Sequence, residues 1–303
     1  MDDAWPGYQE LLERYSSTRH DRNPNRTRDN LELLRFNLRS LERFLPWAHR
    51  VFLVTCRPQV PPWLDRRAVE VVHHDEIMPA GVLPTFNSFA IVSHLHRLRG
   101  LSERFVYVED DRLFGAPVAP RDLFSDEGRP VVYLKWRHTI APRRRSDARL
   151  SPWNRALAYS NYLLNERYGA KHRPTVSHAP LPIEIDSWQA MIDAWPDAFA
   201  ATATSRFRDT GNVAPEHLYP HYLLEERRGV PAGLATTLRR SAYHPLNNVT
   251  LFQRASFVRL RTQRPMFVCL NDNYGGRPSP SAVAVARAFL QREFPERSRF
   301  EQA

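Results

Sequence analysis

The chain has 303 residues, with 43 lysines and arginines against 33 acidic residues, a formal charge of +10, and 42% hydrophobic and 11% aromatic side chains. This composition excludes a disordered chain, and no apolar run approaches the roughly 20 residues of a membrane helix, so a folded cytoplasmic protein is expected, with room left for peripheral association with a membrane. Two cysteines, Cys56 and Cys269, give neither a disulfide framework nor zinc spacing and read as buried thiols, while the basic surplus points to a polyanionic partner such as a nucleotide diphosphate, nucleic acid, acidic polysaccharide or anionic membrane.

In chain order, residues 29–45 place Leu31, Leu34, Leu38, Leu41 and Leu45 at three- and four-residue spacing. That spacing predicts an amphipathic helix capped by Asp29 or Asn30 and stopped by Pro46. Short β-branched runs at 50–55 and 69–73 predict two strands. A helix over 87–99, closed by Gly100, feeds a strand at 104–109, "RFVYVE", which runs into Asp110 and Asp111. Helix, strand, loop and strand in this rhythm predict an α/β sheet, and in open sheets of that class ligands bind at the carboxyl ends of the strands.

Beyond residue 116 the sequence predicts a strand at 131–136 and a basic loop at 141–149. Helices are predicted near 151–168, 184–195 and 215–228, strands at 249–261 and 265–270, and a helix at 280–293. No internal repeat appears, and the proline-rich joints read as loops within one domain. The expected organisation is an α/β core over 28–136, a helical part over 140–250 and core-completing elements over 251–303.

A pair of aspartates after a buried strand is most often a solvated turn. Here Glu109, Asp110 and Asp111 stand side by side, and adjacent carboxylates repel unless a cation lies between them. A divalent ion carrying a nucleotide diphosphate meets that need, because Mg²⁺ or Mn²⁺ takes hard oxygen ligands and phosphates supply part of the set. A second apolar strand, "MFVCLNDNYGG" over 266–276, runs into Asn271, Asp272 and Asn273. His94 and His96 have the wrong spacing for a shared helical face, whereas His178, in the proline-flanked "VSHAPLP", is placed as a candidate general base. Arginines at 143–145 and Arg206 and Arg208 can clamp phosphate, and no glycine-rich phosphate loop or nucleic-acid module is present.

Taken together, "LRSLERFLPWAHRVFLVT", "LPTFNSFAI" and "RFVYVEDDRLFG", then "TVSHAPLP" through "SRFRDTGNVAPEHLYPHYLL", and finally "PMFVCLNDNYGG", resemble in order the signature blocks of the Stealth family of hexose-1-phosphate transferases. The resemblance implies a GT-A-like, Rossmann-type sheet flanked by helices with a helical insertion in the C-terminal half. It also implies transfer of a sugar 1-phosphate from a UDP-sugar to a saccharide hydroxyl, with UMP released, in capsule or cell-surface polysaccharide synthesis. On this likeness Asp110, Asp111 and Asp272 bind Mg²⁺ or Mn²⁺ and the diphosphate. His178 takes the acceptor proton, Arg208 and Asp111 act at the reacting phosphoryl group, and Asn30, Asn87, Asn271, Asn273 and Arg206 bind the sugar nucleotide.

Three departures accompany the resemblance. The family's first block has no counterpart in this sequence, Glu109 stands where an asparagine is common, and Leu181 replaces a histidine found in some members. The extra charge at Glu109 is expected to fall on the metal site. Two other readings stand beside the first: a GT-A glycosyltransferase that releases UDP, and a non-catalytic homologue that binds polyanions through its basic surface.

Overall fold

The computed structural model describes residues 5, 7–18, 20–22, 28 and 31–302. Asp29 and the expected sugar-nucleotide residue Asn30 lie outside the described residues. The first helices are α1 (Tyr8–Tyr15) and α2 (Leu33–Phe44), and α2 buries Phe36, Leu38 and Leu41 as its leucine spacing requires. The parallel pair β1 (Phe52–Thr55) and β2 (Glu70–His73) follows, with the short helix α3 (His74–Ile77) closing it. Helix α4 (Ser88–Ser93) leads into β3 (Arg104–Tyr107), and β4 (Arg112–Phe114) starts directly after the aspartate pair.

The middle of the chain is largely helical, as expected. Strands β5 (Val131–Val132) and β6 (Leu134–His138) precede α5 (Pro152–Tyr168), and β7 (Pro174–Val176) and β8 (Leu181–Glu184) precede α6 (Ile185–Ala194), α7 (Pro196–Thr204) and α8 (Pro215–Glu225). Then come β9 (Val230–Pro231), α9 (Leu234–Arg240), β10 (Ser241–Leu246), α10 (Thr250–Gln263), β11 (Phe267–Asp272) and α11 (Pro280–Glu293).

Two expectations need correction. The run 249–261, expected as a strand, is helix α10, whose inward residues Gln253, Phe257 and Leu260 recur at helical spacing. Its β-like look comes from Val249, Leu251, Phe252 and Val258, which are apolar but exposed. The chain is mixed α/β, yet among the described residues its strands form five small sheets and no single Rossmann-type sheet. Strand β3, expected inside an open α/β sheet, pairs antiparallel with β8 in a two-stranded sheet. The one three-stranded sheet has the order β10–β11–β4, parallel between the first two and antiparallel between the last two.

Three apolar clusters knit these pieces together. The largest packs Trp188, Met191, Leu218 and Tyr219 of the helical part against Ile183 of β8. A second joins Leu113, Leu246, Val268 and Leu270 of the three-stranded sheet to Phe257 of α10 and Leu290 of α11. The third sets Leu38 and Leu41 of α2 against Phe114 and Phe267. Both cysteines are free, Cys269 buried and Cys56 half-buried.

Candidate active site

Strand β4 is pinned on both sides, and this fixes the acidic turn ahead of it. On one side the Leu270 amide of β11 donates to the Asp111 carbonyl at 2.8 Å. On the other, the buried Asn37 amide of α2 donates to the carbonyls of Glu109, at 3.1 Å, and Arg112. The Ser40 hydroxyl of α2 accepts from the Phe114 amide at 3.0 Å. A helix side chain thus substitutes for a strand neighbour and pairs the carbonyls of Glu109 and Arg112.

The turn points its three carboxylates into different surroundings. Glu109 is bound by Arg112, whose buried guanidinium also donates to the Ala179 carbonyl at 2.6 Å. Asp111 Oδ2 accepts from the Cys269 thiol and from Asn271 Nδ2, each at 3.4 Å, while its Oδ1 is buried with no protein partner among the described residues. Burial first, then the charges of Glu109 and Asp110, raise the Asp111 carboxyl to about 7. Asp110 keeps solvent exposure, yet loss of hydration around its carboxyl, then the charge of Glu109, pushes that carboxyl upward as well.

From Asp111 the contacts run to His178. Asn271 Oδ1 accepts from the Tyr243 hydroxyl at 3.2 Å, and the Tyr243 ring stacks on His178 with centroids 4.7 Å apart. The Lys135 ammonium lies 5.6 Å from the centre of that Tyr243 ring. Burial, then Arg112 and Lys135, lower His178 to about 4, so the imidazole is neutral and can accept a proton near pH 7. Arg112, Tyr133, Trp153, His178, Glu216 and His217 share the walls of one cavity.

Arg208 reaches the same region from the loop after α7. Its guanidinium sits 4.4 Å over the Phe89 ring and 5.2 Å from Trp153, and it donates to the Ser88 hydroxyl. Burial lowers its proton affinity, opposed by Glu216 and Glu109. Glu216, on the first turn of α8, is buried with both carboxylate oxygens unpartnered among the described residues. Burial, then Glu109, raises its carboxyl to about 7.

The structure therefore brings Asp110, Asp111, Asn271, His178 and Arg208 into one neighbourhood. It sets others apart. Asn87 is fully buried: its amide donates to the Ser205 and Phe207 carbonyls and to Asn212 Oδ1, and its own oxygen caps α4 at Phe89 N. It has no group left for a sugar nucleotide and instead holds the loop that carries Arg208. Arg206 donates to the backbone carbonyls of Pro84 and Leu83 and covers the Tyr15 ring, so it too is spent on that loop. Asn273 is exposed beyond the end of β11.

Asp272 follows Asn271 on a strand, so the two side chains leave from opposite faces. Arg28 grips Asp272 through both carboxylate oxygens at 2.8 Å, and the Tyr274 amide adds a further bond at 2.9 Å. Among the described residues no three His, Cys, Asp or Glu side chains converge on a point that could hold a metal ion. The donor chemistry at Asp110 and Asp111 nevertheless suits a hard divalent cation: two adjacent carboxyls raised by burial and by the charge of Glu109, one with a buried oxygen lacking any donor among the described residues.

Sequence reasoning missed Arg112, Lys135, Tyr243 and Glu216. Arg112 carried a signal, because a charged residue inside the apolar run after the aspartates needs a buried counter-charge. Glu216 carried none, since an acid in the first turn of a helix is ordinarily there for the helix dipole.

These features define a mixed α/β protein in which the Glu216 carboxylate, the Arg112 guanidinium and the neutral His178 imidazole line one cavity, with the Lys135 ammonium close to the Tyr243 ring that stacks on His178, the chemistry of a site for a charged substrate. The chain belongs to the Stealth family: its conserved region 2 matches residues 26–132, region 3 residues 177–225 and region 4 residues 258–303. It is 32% identical to an exopolysaccharide phosphotransferase of Streptomyces coelicolor, an alignment that takes in all of this chain and 51% of the relative. Similarity to the exopolysaccharide phosphotransferase CpsY of Mycobacterium tuberculosis is 32% over 88% of this chain and 49% of that one. The capsular polysaccharide phosphotransferase SacB of Neisseria meningitidis serogroup A is 30% identical over 89% of this chain and 49% of its own. The chain thus spans about half the length of these relatives.

Proposed function

We propose that this chain carries the transfer site of a polysaccharide phosphotransferase. It moves a hexose 1-phosphate, as N-acetylhexosamine 1-phosphate, from a UDP-sugar to a saccharide hydroxyl. The observation that carries the reading is a neutral, half-buried His178 joined to Asp111 through Tyr243 and Asn271 in a chain of this family.

In this reading His178 takes the proton of the acceptor hydroxyl on a ring nitrogen. The freed oxygen bonds to the phosphorus that bears the sugar, the bond from that phosphorus to the bridging oxygen breaks, and UMP leaves with the electron pair. Arg208, with Arg112 and Lys135 nearby, balances charge on the phosphoryl oxygens. Asp110 and Asp111 would hold Mg²⁺ or Mn²⁺, an ion that neutralises diphosphate charge when bound. Asp272 would join them only after giving up Arg28. Asn271, which already bonds Asp111 and Tyr243, is placed to fix the donor, and Asn273 borders the same strand end.

The test is product analysis. Incubated with Mg²⁺ or Mn²⁺, a UDP-sugar and a saccharide acceptor, the protein is expected to release UMP and form a phosphodiester. Release of UDP would instead establish glycosyl transfer. His178→Ala is expected to lower kcat by about 10²–10⁴-fold while leaving donor binding in place. No turnover with any donor, combined with polyanion binding that Asp111→Asn leaves unchanged, would make the chain a non-catalytic homologue.

A further inference from the structure

Helix α10 is apolar on two sides. Gln253, Phe257 and Leu260 face the protein, and the opposite side presents Leu251, Ala255 and Val258 at the same helical spacing. Leu251 is 78% exposed, Val249 and Val258 60% each and Phe252 47%. These are half of the exposed large hydrophobic side chains among the described residues, gathered on one helix and its cap. A soluble surface carries such residues singly, so a cluster of four marks a contact face.

The charge around that face is one-signed. Arg254 and Arg259 flank the apolar strip on either side, Arg261 and Arg264 follow, and α10 contains no acidic residue. Across residues 250–292 the sequence has seven arginines and a single acid, Asp272, which Arg28 neutralises from within the fold. Glu293, next in sequence, is engaged by Arg261. Arg287 and Arg292 of the packed neighbour α11 extend the basic field.

An apolar centre rimmed by arginines is the pattern of a helix that lies in a membrane interface. The strip enters the acyl boundary while the guanidinium groups meet lipid phosphates. A soluble polyanion would use the arginines and leave the four apolar side chains in water. A second copy of this chain, docked face to face, would bring Arg254 and Arg259 against the same two positive charges. We propose that the outward face of α10 seats the protein on an anionic lipid bilayer. No described helix is long and apolar enough to cross a membrane, so the contact is peripheral.

The test is sedimentation of the 303-residue chain with phosphatidylcholine vesicles, with and without phosphatidylglycerol, at rising salt. Binding is expected only to vesicles containing phosphatidylglycerol, weakening as salt rises. The pair Leu251→Ser and Val258→Ser is expected to weaken it about tenfold at any salt. The pair Arg254→Gln and Arg259→Gln should also weaken it and flatten the salt dependence. All four positions are exposed, so both variants are expected to keep the wild-type circular dichroism and melting temperature. Vesicle binding that is unchanged in both variants would overturn the assignment. So would a dimer by light scattering that Leu251→Ser dissolves while no vesicle binding occurs, or equally tight binding to soluble polyphosphate that the leucine and valine changes do not affect.

Discussion

Glu109 stands where the family commonly has a neutral amide, and its carboxylate is taken by Arg112 rather than offered to a metal. Arg112 is buried, so the acid and the base depend on each other. Glu109→Asn leaves that guanidinium buried and uncompensated, and because Glu109 is itself partly exposed the expected cost is about 2 kcal/mol, below that of a fully buried pair. Urea unfolding of the variant measures it, and an unchanged midpoint would mean that Arg112 finds another counter-charge. Glu216 gives a prediction in pH. Its carboxyl is raised in the fold to about 7, so the folded state holds a proton that the unfolded chain releases near 4.5. That contribution is complete below about pH 4.5 and is lost as pH rises through 7, an amount on the order of 3 kcal/mol. Glu216→Gln should remove the loss and be more stable than wild type at pH 8. A parallel fall of both proteins between pH 5 and 8 would assign the effect to other groups. The sequence displayed the aspartate pair and His178 because strand ends and proline turns leave marks in short windows. It hid Glu216 and Lys135 because their roles depend on neighbours that are distant in sequence, such as Glu109 and Tyr243.

Secondary-structure elements show the same division between local and distant information. Helix α11 lies where periodicity places it, since its leading proline and its apolar spacing are contained in fourteen residues. Helix α10 was illegible because two apolar faces, one for the core and one outward, erase the polar side by which a surface helix is known. Asn87 illustrates the cost of reading a conspicuous polar residue as a ligand. At the start of α4 it caps the helix and, through its amide, clamps the loop of Ser205 and Phe207 that delivers Arg208. Asn87→Ala should lose the cap, worth about 1 kcal/mol, and strand buried carbonyls at about 1–3 kcal/mol more. If Arg208 depends on that clamp, the variant loses kcat at temperatures where it remains folded. A variant that is destabilised but keeps full kcat would show that Ser88 and the Phe89 ring hold Arg208 unaided.

Across the whole molecule, strand ends from separate small sheets converge on one cleft, and the strongest question they raise concerns Asp272. The likeness to the family groups it with Asp110 and Asp111, while strand alternation and the Arg28 grip turn it to the other face of β11. Ligand-linked stability separates the two arrangements. A ligand that binds only the folded state adds about 2.7 kcal/mol at a hundredfold excess over its Kd, roughly a 5 °C rise in melting temperature for a chain of this size. With Mn²⁺ and a UDP-sugar together, wild type should show that rise, and Asp111→Asn should abolish it without lowering the ligand-free melting temperature, because a carboxyl raised to about 7 costs stability near pH 7. Asp272→Asn should do the reverse: the ligand-free protein melts lower, by about 2 kcal/mol of lost ion pairing at a part-buried site, while the ligand-induced rise persists. Loss of the rise in Asp272→Asn would show that Arg28 gives way on binding and that all three aspartates meet at the ion.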